Sequence, residues 1–197
     1  PFPGPLDEPT VVRDTDGSTA RVAPALPRIL KQRFELGARL GGGMGTVFRA
    51  RDRARILPGT GSADVAIKLP DPTRLHATAV AAALHREARC LRLLRHPHIV
   101  RMVAFERDGP WPFIVMELVA GRDLGELLCE HPHGLPPGRA HRIILTLCAA
   151  LSHTHGCGLV HADLKPANVM VGVDDAATLL DFGLAKADPG TPPGLLE

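Results

Sequence analysis

Two carboxylates near the end of the chain, eighteen positions apart, constrain this sequence more than anything else in it. Asp163 lies in His161-Ala162-Asp163-Leu164-Lys165-Pro166-Ala167-Asn168, which places an amine two residues on and a carboxamide five residues on. Asp181 opens Asp181-Phe182-Gly183, directly after the apolar run Thr178-Leu179-Leu180. Val169-Met170-Val171 and Thr178-Leu179-Leu180, with Asp174-Asp175 between them, predict a β-hairpin carrying both segments. This set of groups suits phosphoryl transfer. One carboxylate orients an incoming hydroxyl, the amine offsets charge on the moving phosphate, and the carboxamide with the second carboxylate holds a metal. Taken singly, Asp163 would be a turn aspartate bonded to its own backbone. Lys165 and Asn168 beside it make that the weaker reading.

Upstream segments supply the nucleotide-binding half in order. Leu40-Gly41-Gly42-Gly43-Met44-Gly45-Thr46-Val47 is glycine-dense between strand-like Phe34-Glu35-Leu36 and Val47-Phe48-Arg49. Glycines there let backbone N–H groups approach phosphates with no Cβ in the way. Val65-Ala66-Ile67-Lys68 is a short β-prone run ending in lysine, and Glu87 follows nineteen residues later in the helix-like Leu84–Leu91. His96-Pro97-His98-Ile99-Val100 and Phe113-Ile114-Val115-Met116-Glu117-Leu118 come next. Taken in this order and at these spacings, the segments resemble the protein kinase superfamily. A glycine-rich loop alone would say little.

The resemblance implies roles for particular residues. Gly41, Gly43 and Gly45 would cover the phosphates of ATP; Lys68 would grip the α- and β-phosphates and be held by Glu87. Val47, Ala66 and Met170 would sandwich adenine, with Met116 at the back of its pocket. Glu117 and Val119 would offer backbone hydrogen bonds to the adenine edge, and Asp123 would reach the ribose. Asp163 would be the catalytic base and Lys165 would offset charge on the transferring phosphate, while Asn168 and Asp181 would hold Mg²⁺. Leu91, Met102, His161 and Phe182 match the family's internal stack. Lys165, two residues after the aspartate, resembles serine/threonine kinases rather than tyrosine kinases. Read alone, Lys68 would be a snorkelling strand lysine and Glu87 a solvated helix glutamate.

The sequence departs from the family in two places. The glycine loop reads G-x-G-x-G where the family has G-x-G-x-x-G, so the shorter tip offers fewer backbone contacts to phosphate. Ala162 stands where arginine is usual, and alanine cannot pair with a phosphorylated activation segment.

Composition narrows the remaining choices. A net charge of +2, dispersed basic residues, one Trp and no Tyr give no base-stacking platform and no case for nucleic acid. No apolar run reaches the ~18–20 residues of a membrane span, so no membrane contact is expected. Cys90, Cys129, Cys148 and Cys157 fit neither C-x-x-C nor a zinc spacing, and buried free thiols in a cytoplasmic protein are expected. The pairs His131/His133 and His153/His155 lack a third ligand at a diagnostic spacing, so no histidine is given a metal role.

Residues 1–27 are Pro-rich and without periodicity, as in a disordered leader. Residues 28–197 read as a partial kinase domain, strand-rich over about 28–118 and helix-rich over about 119–197, with a nucleotide cleft between these lobes. An insertion-like loop is expected at 55–62. Leu75–Leu94 should be a helix, followed by strands Ile99–Phe105 and Phe113–Leu118. Leu124–Cys129 should form a short helix and Pro137–His155 a long one with Ala140, Ile143, Ile144, Leu147, Cys148 and Leu151 on its apolar face. The chain looks cut within the activation segment. The expected class is α+β, a two-lobed kinase-like fold transferring phosphate from Mg-ATP to protein Ser/Thr hydroxyls. Two rivals stand beside it. One is a small-molecule phosphotransferase of the aminoglycoside/choline type, which shares the small residue before the aspartate. The other is a nucleotide-binding pseudokinase without transfer activity.

Overall fold

The computed structural model describes residues 25–42, 45–54, 63–71 and 78–188. Most of the expected leader, the 55–62 loop, and Gly43 with Met44 lie outside the described residues. Two compact units divide the chain: residues up to Leu84 with Ala104–Val115, and His85–Val103 with Met116 onward.

Most residues of a six-stranded sheet belong to the first unit. Its strands are β1 (Ile29–Leu30), β2 (Phe34–Gly41), β3 (Gly45–Asp52), β4 (Asp64–Pro70), β5 (Met102–Asp108) and β6 (Trp111–Glu117), in the order β1-β2-β3-β4-β6-β5. β4 and β6 are the buried strands: Val65–Leu69 and Trp111–Met116 have almost no exposure on either face, as continuous apolar runs dictate. Phe34 and Phe113 meet edge to face at 5.9 Å between centroids. Arg33 Nε and Nη2 grip the Asp52 carboxylate at 2.7 Å each, and the guanidinium lies 4.6 Å from the Phe34 ring centroid. Asp52 is 1% exposed; this two-point pairing satisfies a charge that would otherwise be costly to bury.

Helix α1 runs Thr78–Leu93, against Leu75–Leu94 expected; residues 75–77 are not among those described. Leu84, Ala88, Leu91 and Leu94 are buried as its periodicity requires. The strands expected at Ile99–Phe105 and Phe113–Leu118 are shifted. Ile99 leaves the sheet for a parallel bridge to Leu179, so β5 starts at Met102. β6 starts at Trp111, two residues before the expected Phe113, and ends at Glu117.

The second unit follows the chain through β7 (Arg122–Asp123), α2 (Leu124–Cys129), α3 (Pro137–Gly156), β8 (Leu159–Val160), a 3-10 turn at Pro166–Asn168, β9 (Val169–Val171), β10 (Ala177–Leu179) and β11 (Lys186–Ala187). Asp123 caps α2, its Oδ1 accepting the Glu126 N–H at 3.1 Å. β9 and β10 pair antiparallel from Ala177↔Val171 to Leu179↔Val169, and β8 pairs with β11. α3 packs on β8 and β10 and supports the hairpin at two points. Thr146 Oγ1 accepts the Ala177 N–H at 2.9 Å, and Arg139 Nε donates to Asp175 Oδ1 at 2.5 Å. The helix closes with Cys157 N–H on the His153 and Thr154 carbonyls, followed by left-handed Gly158 (φ 72°).

Two sequence expectations fail on α3. Its buried line is Ile143, Ala150 and Thr154, while Ile144 is 57% exposed and Cys148 is exposed. Apolar residues ring this helix, so periodicity alone could not choose the face turned to β8 and β10. The thiols are free as expected, but only Cys90 is buried; Cys129 and Cys148 are exposed and Cys157 is half-buried. Among the described residues, no helix is long and apolar enough to cross a membrane.

Candidate active site

The 161–168 loop turns on one unusual residue. Ala162 has φ +62°, a left-handed conformation that alanine adopts at a cost of roughly 1–2 kcal/mol. The turn sends its neighbours opposite ways: His161 is buried and Asp163 is half-exposed. His161 Nε2 donates to the Leu180 carbonyl at 2.9 Å, its Nδ1 accepts the Asp163 N–H at 3.3 Å, and its ring meets Phe182 edge-on at 4.7 Å. Both ring nitrogens are thereby engaged.

Asp163 is bonded on one side only. Its Oδ2 accepts Lys165 Nζ at 2.7 Å and Asn168 Nδ2 at 3.0 Å, and Asn168 Nδ2 also donates to the Asp163 carbonyl at 2.8 Å. Among the described residues nothing donates to Oδ1. The Lys165 bond, and after it the Asn168 bond, hold the Asp163 carboxyl below the usual carboxylate range despite partial desolvation. It is therefore ionised at neutral pH.

Asn168 spends its Nδ2 on Asp163 and keeps Oδ1 as an acceptor. Leu180 N–H donates to the Asn168 carbonyl at 2.8 Å, which brings Asp181 alongside. Asp181 itself has φ +52°, and its Oδ1 accepts the Gly183 N–H at 3.1 Å. Aspartate tolerates this backbone better than most residues. A carboxamide oxygen and a carboxylate are hard donors of the kind that suits a divalent cation such as Mg²⁺.

The other expected residues divide between the units. Lys68 lies in β4 and Glu87 in α1, 5% and 3% exposed, which rules out the snorkelling lysine and the solvated glutamate. Ala66 and Met116 are each 7% exposed, Val47 and Met170 half-buried. Glu117 donates its N–H to the Arg101 carbonyl at 3.0 Å, so any adenine contact from it falls to its carbonyl. Val119 makes no backbone hydrogen bond among the described residues. Asp123 is occupied as the α2 cap through one oxygen. Leu91 is buried and Met102 half-buried.

In the glycine hairpin the structure singles out a residue that the motif passes over. A Cβ on Gly42 would stand 2.0 Å from the Gly45 carbonyl oxygen, and one on Gly45 would stand 2.5 Å from the Leu69 carbonyl oxygen. A Cβ on Gly41 meets nothing within 4 Å. The run of three glycines was the available signal for Gly42; its need follows from the Gly45 carbonyl standing where a side chain would begin.

Residues 34–192 match the protein kinase domain family. The chain is similar to the serine/threonine-protein kinase PknB of Mycobacterium leprae, 38% identical over 167 residues, covering 82% of this chain and 26% of that protein. It is also similar to the probable serine/threonine-protein kinase CE0033 of Corynebacterium efficiens, 37% identical over 165 residues, 81% of this chain and 24% of that protein. The serine/threonine-protein kinase pkn3 of Myxococcus xanthus is 37% identical over 175 residues, 85% of this chain and 30% of that protein. The chain thus spans about a quarter of the length of these relatives.

Proposed function

Because the chain belongs to the protein kinase domain family, we propose that it is the ATP-using part of a serine/threonine protein kinase. The observation that carries this reading is the one-sided bonding of Asp163. Lys165 and Asn168 hold Oδ2 and leave Oδ1 to accept a hydrogen bond from a substrate Ser or Thr hydroxyl.

Oriented this way, the hydroxyl oxygen attacks the γ-phosphorus, the bond to the β–γ bridging oxygen breaks, and ADP leaves. The hydroxyl proton passes to Asp163. Its lowered pKa makes Asp163 a weak proton acceptor in the ground state, so its main contribution is orientation, with transfer late in the reaction. Lys165 stands where it can turn from Asp163 toward the developing phosphate charge. Asn168 and Asp181 would hold Mg²⁺, which when bound neutralises phosphate charge. Lys68, with Glu87, would hold the α- and β-phosphates, beneath Gly41, Gly43 and Gly45. Val47, Ala66, Met116 and Met170 would enclose adenine, with Glu117, Val119 and Asp123 on its polar edge and the ribose. Free thiols at all four cysteines support a cytoplasmic setting.

Incubation with γ-labelled Mg-ATP and a panel of Ser/Thr peptides tests the reading, with an aminoglycoside as the competing acceptor. Label on the peptides that is lost in Asp181→Asn supports it. Label on the aminoglycoside alone, or none on any acceptor while ATP still raises thermal stability, refutes it.

A further inference from the structure

Away from the Asp163 loop, the second unit gathers three imidazoles around one turn. His96 closes that turn twice. Its Nδ1 accepts the His98 N–H at 3.2 Å, and its carbonyl accepts the Ile99 N–H at 3.1 Å. The His96 ring also lies on that of His153 in α3, with centroids 5.2 Å apart and planes 24° from parallel. The His98 ring is 5.5 Å from His96. The same turn fastens β10. The His98 carbonyl accepts the Leu179 N–H at 2.9 Å, the Leu179 carbonyl accepts the Val100 N–H at 3.0 Å, and Ile99 forms the parallel bridge to Leu179. Leu179 stands two residues before Asp181.

A proton on His96 acts on this arrangement at two points. Nδ1 accepts the His98 N–H only while it carries no proton, because a protonated imidazole has two donors and no acceptor. The charged ring would also lie against His153 and close to His98. These two imidazoles are the groups that act on the His96 charge. Cys157 Sγ stands behind them, 3.8 Å from His153 Nε2, and β10, with Ala177, Thr178 and Leu179, carries no titratable side chain. Among the described residues no carboxylate offsets the charge.

We propose that this cluster is an acid-sensitive latch, in which a proton taken up by His96 from solvent loosens the turn that fastens β10 ahead of Asp181. Burial first, and then the His153 and His98 imidazoles, hold the His96 pKa below its ordinary 6.5. As the pH falls, the unfolded chain therefore binds this proton before the folded one does. The latch is fully closed above pH 6.5 and weakens progressively below it.

Amide hydrogen exchange of the 197-residue chain at about pH 7.5 and about pH 5, corrected for intrinsic rates, tests the proposal without calling on transfer activity. Protection of the Leu179 and Val100 amides should fall by about three- to tenfold on acidification, the size of one hydrogen bond's net contribution. His96→Asn keeps a side-chain acceptor for the N–H two residues on and cannot titrate, so protection should hold at both pH values. His153→Phe keeps a ring against His96 without the charge and should shrink the acid effect. His155→Asn, exposed on the same helix, should leave it unchanged. Unchanged protection in the wild type, or an acid loss that persists in His96→Asn, overturns the proposal. Where His96→Asn has already lost protection at neutral pH, titration of the wild-type His96 ring proton decides. A midpoint below that of the urea-unfolded chain supports the latch, and one equal to it or above overturns it.

Discussion

The glycine hairpin of the first unit and the 161–168 loop of the second hold backbone in place by opposite means. At Gly42 and Gly45 the fold depends on side chains being absent, because a carbonyl oxygen sits where a Cβ would go. Around Asp163 it depends on side chains being present, with His161, Lys165 and Asn168 each bonded to a neighbour. The first arrangement is sensitive to added atoms and to loop length. The second is sensitive to which polar atom stands at each position.

The largest expected contrast is in turnover. Asp163→Asn should lower kcat by roughly 10²–10⁴-fold while leaving the ATP KM nearly unchanged. Steady-state kinetics in a protein with measurable transfer activity decides it; weaker ATP binding at unchanged kcat would contradict the role. Gly42→Ala should do the reverse, raising the ATP KM by about tenfold, some 1.4 kcal/mol, with little change in kcat. Gly41→Ala should be near neutral, and equal effects from the two would mean that the Gly45 carbonyl does not set the hairpin. A smaller effect is expected at Ala162. Relief of its left-handed backbone in Ala162→Gly should offset the entropy cost of glycine and raise unfolding free energy by up to about 1 kcal/mol, read from urea melts. Loss of stability would remove the strain.

The smallest effect is the pH dependence from Cys90. Burial first, and then the nearby Glu87 charge, push this thiol from 9.0 up to about 11. The unfolded chain loses the proton first. Stability should therefore hold below pH 9 and decline between about 9 and 11, because there the folded state binds more protons. Urea melts across that range should show a shallower decline in Cys90→Ala, and identical slopes would refute the assignment.

The chemistry-bearing segments were legible in the sequence because each combines unusual residues at fixed offsets. The helix Pro137–His155 and the hairpin on Val169–Val171 were placed within a residue or two, since Pro, Gly and Asp-Asp mark their ends. What escaped were properties set by tertiary neighbours. Ile144 and Ile143 are alike in sequence, yet only Ile143 faces inward. Ile99 and Val100 look like strand residues, but Ile99 bridges to Leu179 and Val100 donates its N–H to the same residue's carbonyl, outside the sheet. No local signal announces that Ala162 is left-handed, because alanine rarely adopts that backbone and nothing in the neighbouring residue types requires it. The His96–His153 stack joins positions far apart in the chain, so spacing rules applied to either segment find nothing.

Helix α3 meets the β9–β10 hairpin through Thr146 at one strand and Arg139 at the turn. Two such hydrogen bonds, added to the packing of α3 on β10, limit sliding of the hairpin along the helix. The hairpin should therefore report on the helix. The Ala177 amide, whose acceptor is a side chain of α3 rather than a strand carbonyl, should exchange its hydrogen at a rate set by opening of the helix surface. In Thr146→Val that amide should exchange faster, while Thr146→Ser should keep it slow.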